Sequence, residues 1–175
     1  LDVAFDFSHV CRNAFELDET PNLLRKLSES RDVQRHFCYV IPDEGASRWI
    51  KCDEWQLKRY IQGRKQRDPA TGRIFIDFKR ASYSLTSQEI DQITLEKDRG
   101  TTTFIIIDDL CDGGGTVIEI SKKIKEQIPE AKVLLVVTHA IFSKGFAVFD
   151  GHIDHIYCTN SFANFDNPLI TQIKV

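Results

Sequence analysis

The chain contains no methionine, only two tryptophans, and few of the residues that break regular structure, with nine glycines and five prolines in 175 residues. So little glycine and proline excludes collagen-like and low-complexity architectures. The five cysteines, Cys11, Cys38, Cys52, Cys111 and Cys158, are odd in number and scattered. They show neither the paired spacing of a zinc site nor a disulfide framework, so a reducing compartment is expected. No apolar run approaches the roughly 20 residues that span a bilayer, and Leu1-Asp2-Val3 does not open a signal peptide. A cytoplasmic protein with no membrane partner is therefore expected. The formal net charge is only -3, so without a local basic patch no nucleic-acid partner is expected either. A chain that opens on Leu1 and lacks methionine is expected to be part of something longer or an incompletely recorded protein.

What is present is ordinary globular composition, 42% apolar and 28% charged, enough for one domain over residues 1–175 with a sizeable core. Short apolar runs rich in β-branched residues, Phe37 to Ile41, Phe104 to Ile107 and Val133 to Val137, predict buried parallel strands. Between the last two, Val117, Ile120, Ile124 and Ile128 recur at helical spacing opposite Lys122, Lys123, Lys125 and Glu126. That pattern predicts an amphipathic helix over Gly115 to Ile128. Strand, glycine turn, helix and strand make a βαβ unit. Thr20-Pro21 predicts an N-cap followed by a first-turn proline, with Leu23, Leu24 and Leu27 on one face. Ile141 to Phe149 predicts a short helix and His152 to Cys158 a further strand. The fold class is α/β, a mostly parallel sheet flanked by helices, with an exposed basic loop or hairpin over Lys58 to Arg73.

The informative segment runs from Phe104 to Thr116, an apolar strand ending in Asp108-Asp109, then Leu110-Cys111-Asp112-Gly113-Gly114-Gly115-Thr116 opening the helix. Three glycines let backbone N–H groups approach a phosphate, and the helix N-terminus adds unpaired donors and a favourable dipole. Thr116 adds a hydroxyl. Adjacent carboxylates at the carboxyl end of a strand lie where open α/β sheets bind ligands, and they can accept hydrogen bonds from vicinal ribose hydroxyls. A plain strand-to-helix connection, with Asp112 as a cap or turn former, is the competing reading. The order of strand, acid pair, turn and helix favours a phosphate-and-ribose loop.

Asp108 to Thr116 resembles the phosphoribosyl pyrophosphate loop of the type I phosphoribosyltransferase fold. More of the chain is similar to one branch of that fold, the ribose-phosphate pyrophosphokinases. The similarity runs through Val137-Thr138-His139-Ala140-Ile141-Phe142-Ser143-Lys144-Gly145, Asp154 to Phe162, Ile41 to Ser47 and Lys65 to Gly72. The resemblance implies that Asp112, Gly113, Gly114, Gly115 and Thr116 hold the 5-phosphate of ribose 5-phosphate, and Asp108 and Asp109 its ribose hydroxyls. It implies that Asp43, Glu44, Gly45 and Ala46 form a pyrophosphate loop, with Asp43 helping to bind Mg2+. Lys65 and Arg67 would be the catalytic pair of a mobile loop that closes over ATP. The implied activity transfers the diphosphoryl group of ATP to ribose 5-phosphate, giving phosphoribosyl pyrophosphate and AMP. The chain would then be the carboxyl-terminal half of a two-domain protein that acts as a homo-oligomer, part of its ATP site lying across a subunit interface.

Two other classes fit the same loop, a phosphoribosyltransferase that consumes phosphoribosyl pyrophosphate and a non-catalytic sensor or synthetase-associated domain. No separate hood for a nucleobase is legible, and the basic Lys65 to Arg67 segment suits ATP better. His139 is assigned no chemistry. His152 and His155 have ligand-like spacing but no accompanying Cys or acid cluster, so zinc is not expected. Cys111, next to a helix N-terminus, is a spacer whose thiol pKa could be lowered.

Overall fold

The structure, a computed structural model, describes residues 19–33, 37–50, 57, 60–71, 74–79 and 103–175, with the backbone alone at 65, 67 and 74–79. Helix α1 (Thr20–Glu29) leads to strand β1 (Phe37–Ile41), the single-turn helix α2 (Ala46–Trp49), and strands β2 (Tyr60–Arg67) and β3 (Ile74–Lys79). Strand β4 (Thr103–Cys111), helix α3 (Gly115–Gln127), β5 (Lys132–Ala140), β6 (His155–Thr159) and β7 (Ile170–Ile173) complete the order. The seven strands form one sheet, ordered β3-β2-β1-β4-β5-β6-β7. Six run parallel, and the edge strand β3 is antiparallel to β2.

Strand burial follows from the period-2 geometry of a sheet covered on both faces. Cys38, Val40, Phe104, Ile106, Val133, Leu135 and Val137 pack with Val117, Ile120 and Ile124 of α3. Their neighbours Ile41, Ile105, Ile107, Leu134 and Val136 pack on the other face with Leu23 and Leu27 of α1. Each such aliphatic side chain contributes about 1.5–3 kcal/mol of hydrophobic stabilisation. The central strands are thus held from both sides, and whatever extends from their carboxyl ends stands on a rigid base.

The direction in which the sheet is built reverses at the β1–β4 boundary. From β1 the sheet grows outward through β2 and β3, whereas β4 returns to the other side of β1 and the later strands continue away from it. In an open α/β sheet the crevice outside the carboxyl ends of two such strands is where ligands bind.

The predicted strand Phe37 to Ile41 is present with those bounds, and the predicted helix ends one residue early, at Gln127. Strands β4 and β5 continue four and three residues past their apolar runs. The basic segment is a hairpin, closed by Asp68, whose Oδ1 accepts the Ala70 amide at 2.8 Å and the Thr71 amide at 3.4 Å. Three expectations need correction. Thr20 is the first helical residue instead of the cap, which is Glu19, and no side chain caps α1. The helix expected over Ile141 to Phe149 is a turn followed by one 3-10 turn, Ala147–Phe149. Phe142 has φ 51° and Gly145 φ 73°, both incompatible with a continuous right-handed helix. Strand β6 starts at His155 because the His152 and Ile153 amides donate instead to the Phe149 carbonyl, both at 2.9 Å.

Candidate functional site

Two connections flank the crevice at the β1–β4 boundary, and both carry acids. After β1, Asp43 turns back on itself: the Ala46 amide donates to Asp43 Oδ1 at 2.9 Å, and the Ser47 amide to the Asp43 carbonyl at 3.2 Å. A Cβ on Gly45 would lie 3.1 Å from Asp43 Oδ1, so the glycine lets the carboxylate fold close. Of the four residues expected to form a pyrophosphate loop, Asp43 is half-buried and Glu44 and Gly45 are exposed. Ala46 is buried in the core and its amide is engaged by Asp43.

At the end of β4, Asp108 pairs in register with Val137 of β5, and the Asp109 amide donates to Asp108 Oδ1 at 3.0 Å. Burial pushes the Asp108 carboxyl up to about 8, reinforced by the charge of Asp109 and its side-chain contact, and further by Asp43. The Asp43 contribution, from the turn after β1, is the smallest of these. Asp109 and Asp112 are exposed.

The glycine turn has a specific geometry. Gly114, at the cap position of α3, has φ 73°, and a Cβ there would stand 2.7 Å from Phe149 Cε1. Both facts demand glycine, the first because a side chain in the left-handed region is strained, the second because the aromatic ring occupies the space. No side chain caps α3, and the Ile118 amide to the Gly114 carbonyl, at 2.9 Å, is an early bond of its ladder. Asp112 is therefore not a helix cap. The amides of the first turn point out of the helix start toward the same edge as the acid pair, an arrangement suited to an anion.

Cys111 departs from expectation. It is buried at 3% exposure, and burial, with the nearby Asp108 and Asp112 charges, pushes its thiol up to about 12 despite a contact with the Gly114 amide. A helix start lowers a thiol pKa only where the thiolate is not stripped of solvent among carboxylates. Its carbonyl accepts the Ile141 amide at 2.9 Å and the Phe142 amide at 3.2 Å, so the connection after β5 is stapled to the end of β4.

That connection brings in a residue whose position the sequence did not reveal. Lys144 lies across Gly113: a Cβ at Gly113 would meet Lys144 Cε at 3.2 Å, Cδ at 3.3 Å and Nζ at 3.5 Å. No periodicity or spacing links positions 113 and 144. Only the pairing of β4 with β5 does.

Lys65 and Arg67 sit elsewhere on the same edge. Strand β2 pairs with β1 as far as Gln62, opposite Ile41, and then continues from Gly63 to Arg67 paired, among the described residues, with β3 alone. Five residues at strand rise carry this two-stranded arm about 17 Å beyond the end of β1. Lys65 and Arg67 lie in this arm, their backbones opposite Ile76 and Ile74. His139 is exposed, with Nδ1 2.9 Å from Ser161 Oγ, and His155 Nε2 lies 2.9 Å from Thr171 Oγ1. Among the described residues no group of three or more His, Cys, Asp or Glu side chains is arranged to hold a metal ion, and no helix is long and apolar enough to cross a membrane.

This chain is similar to a ribose-phosphate pyrophosphokinase. The relative, from Mycoplasmopsis pulmonis, is 32% identical over 93 residues, which are 52% of this chain and 27% of that protein. The match thus spans about a quarter of the relative's length. No protein-family model matches. Among solved structures, the Helicobacter pylori xanthine-guanine-hypoxanthine phosphoribosyltransferase covers 88% of this chain and 84% of its own at 10% identity, with a TM-score of 0.48. A hypothetical protein from Neisseria gonorrhoeae with bound ppGpp covers 89% and 76% at 12% identity, with a TM-score of 0.38.

Proposed function

We propose that this chain binds ribose 5-phosphate and takes part in its conversion by ATP to phosphoribosyl pyrophosphate and AMP. The observation that carries this reading is the convergence at one topological switch point of the Asp43 turn and the Asp108 to Thr116 loop, which follow the neighbouring parallel strands β1 and β4. Similarity to a ribose-phosphate pyrophosphokinase supports the same reading.

In this assignment the amides of the glycine turn and Thr116 receive the 5-phosphate, and Asp108 and Asp109 accept hydrogen bonds from the ribose hydroxyls. The sugar's C1 hydroxyl oxygen then bonds to the β-phosphorus of ATP. The bond from that phosphorus to the oxygen bridging the α-phosphate breaks, AMP leaves with the bridging oxygen, and the hydroxyl proton passes to solvent. Charge spreads over the transferred phosphate oxygens, so positioned cations are the main chemical requirement. Lys65 and Arg67, in the hairpin that continues past the end of β1, are their proposed sources. Mg2+ binds through one or two carboxylates together with substrate phosphates and water, and when bound it neutralises phosphate charge. Asp43 is its proposed ligand, and the mutual repulsion of Asp43, Asp108 and Asp109 suits a cation there. A cage of three protein ligands is not needed for such an ion.

The test is titration calorimetry with ribose 5-phosphate and magnesium, followed by measurement of AMP release from ATP. Lys65→Ala and Arg67→Ala should each lower turnover roughly 100-fold, the scale seen when one transition-state charge stabiliser is lost, while ribose 5-phosphate affinity stays within about threefold. Absence of ribose 5-phosphate binding would overturn the reading. Binding without AMP release would favour a domain that senses or consumes phosphoribosyl pyrophosphate.

A further inference from the structure

Apart from Lys144, the charged side chains named on the two connections of the proposed sugar-phosphate site are all acidic. Asp43, Glu44, Asp108, Asp109 and Asp112 line its two connections, and a phosphate monoester arriving there carries close to two negative charges at neutral pH. Backbone amides and a helix dipole equivalent to about half a charge offset only part of this. A cation is required close to the glycine turn.

Lys144 meets the requirement by position. Its stem covers Gly113, and a side chain at position 113 would occupy the space that Lys144 now fills. Among the described residues no carboxylate forms an ion pair with it, whereas Lys122 pairs with Glu119 at 2.9 Å, Lys123 with Glu126 at 3.6 Å and Lys125 with Asp154 at 3.5 Å. Its backbone is also fixed. Phe142, two residues earlier, holds φ 51°, an unfavourable conformation for a bulky side chain. The ring is buried and held by Phe146, Phe149 and Phe165, at centroid distances of 5.6, 5.3 and 5.5 Å. The Gly145 amide closes the turn on the Phe142 carbonyl at 2.8 Å. One of those rings, Phe149, is the one that forbids a side chain at Gly114. A single aromatic cluster thus shapes the phosphate turn and presents the lysine to it.

We propose that Lys144 is a phosphate-binding residue of this site, its ammonium contacting the 5-phosphate held by Gly113 to Thr116 and selecting the phosphorylated sugar over free ribose. The proposal rests on the assignment of that turn to ribose 5-phosphate. Calorimetric titration with ribose 5-phosphate and magnesium, and competition by inorganic phosphate, should be compared for the wild-type chain, Lys144→Ala and Lys144→Arg. The expected result is affinity roughly 10- to 100-fold weaker in Lys144→Ala, the range for loss of a charge-assisted hydrogen bond, and near-normal affinity in Lys144→Arg. Competition by inorganic phosphate should weaken in parallel in Lys144→Ala. Lys144 is exposed, and unchanged thermal melting of both variants shows that the loss does not come from misfolding. Equal affinity of wild type and Lys144→Ala would overturn the lysine's role while leaving the sugar-phosphate reading intact. Loss in Lys144→Arg as deep as in Lys144→Ala would overturn it too, because the stem's packing and not the charge would then matter. Failure of the wild type to bind ribose 5-phosphate would overturn both.

Discussion

Replacing Asp108 by Asn should make the ligand-free protein more stable at neutral and alkaline pH while weakening its affinity for ribose 5-phosphate. The Asp108 carboxyl rises from 3.8 to about 8 in the folded chain, through burial first, then Asp109 and Asp43. A group whose folded pKa is raised keeps its proton on folding where the unfolded chain has lost it, so stability is full below the unfolded value and falls as pH rises toward 8. At 1.36 kcal/mol per unit, the full window of about four units sets a ceiling of ~5 kcal/mol. Water reaching the exposed Asp109 screens part of this repulsion, and a gain of about 1–3 kcal/mol is expected near pH 8. Asn keeps the oxygen that accepts the Asp109 amide and adds a donor facing the Asp109 carboxylate. Urea denaturation followed by tryptophan fluorescence, at several pH values between about 5 and 8.5, gives the difference between the two proteins. Other titrating groups are common to both and cancel. The gap should widen steadily with pH. A gap independent of pH, or a variant less stable than wild type at pH 8, would refute the electrostatic account of the acid pair.

Gly114→Ala should destabilise the chain by roughly 2–4 kcal/mol, combining left-handed strain with overpacking against Phe149, and should weaken ribose 5-phosphate binding, as thermal melts and calorimetry would show. Cys111, with its thiol pushed up to about 12, should react with iodoacetamide far more slowly than an exposed cysteine at pH 8, where the latter is roughly one-quarter thiolate. Peptide mass mapping of the native chain would find Cys111 unmodified until denaturant is added.

Much of this architecture was legible because the central strands are buried on both faces, and that requirement writes itself into sequence as uninterrupted Val, Ile and Leu. Val133–Val137 is such a case, and in Phe37–Ile41 the apolar run, though it includes Phe37, Cys38 and Tyr39, matches the strand's bounds. The carboxyl ends of β4 and β5 do not follow: Asp108, Asp109, Thr138 and His139 are polar because they stand half-buried or exposed beyond the covered part of the sheet, so composition stops before the hydrogen-bond ladder does. In Ile141 to Phe149 the apolar residues at helical spacing are explained by tertiary ring packing, with Phe142 reaching forward to Phe165. Strand β7 had no signal at all, since its four residues are only half-buried and it borders solvent. In the site, the acid pair and glycine turn are contiguous and could be read, whereas Lys144 reaches Gly113 only through strand pairing. The Cys111 thiol was misjudged because a local rule about helix starts was applied without the burial that reverses it.

The arrangement of charge bears on how such a site would work. Its acids stand at the ends of β1 and β4, strands clamped between two helical layers, so their repulsion cannot be relieved by moving apart and is met in the ligand-free chain by Asp108 keeping its proton up to about pH 8. The cations are carried separately, Lys144 on a turn pinned by aromatic rings and Lys65 and Arg67 on a hairpin beyond the sheet. A dianionic phosphate entering alone relieves Lys144 but worsens the field around Asp108, and a divalent cation entering alone does the opposite. Each therefore lowers the electrostatic cost of the other, and coupling of this kind is reciprocal. On the proposed function, magnesium should tighten ribose 5-phosphate binding by the same factor by which ribose 5-phosphate tightens magnesium binding. That factor should shrink in Asp108→Asn, where less repulsion remains to be offset, and a factor unchanged by the substitution would place the cation away from the acid pair.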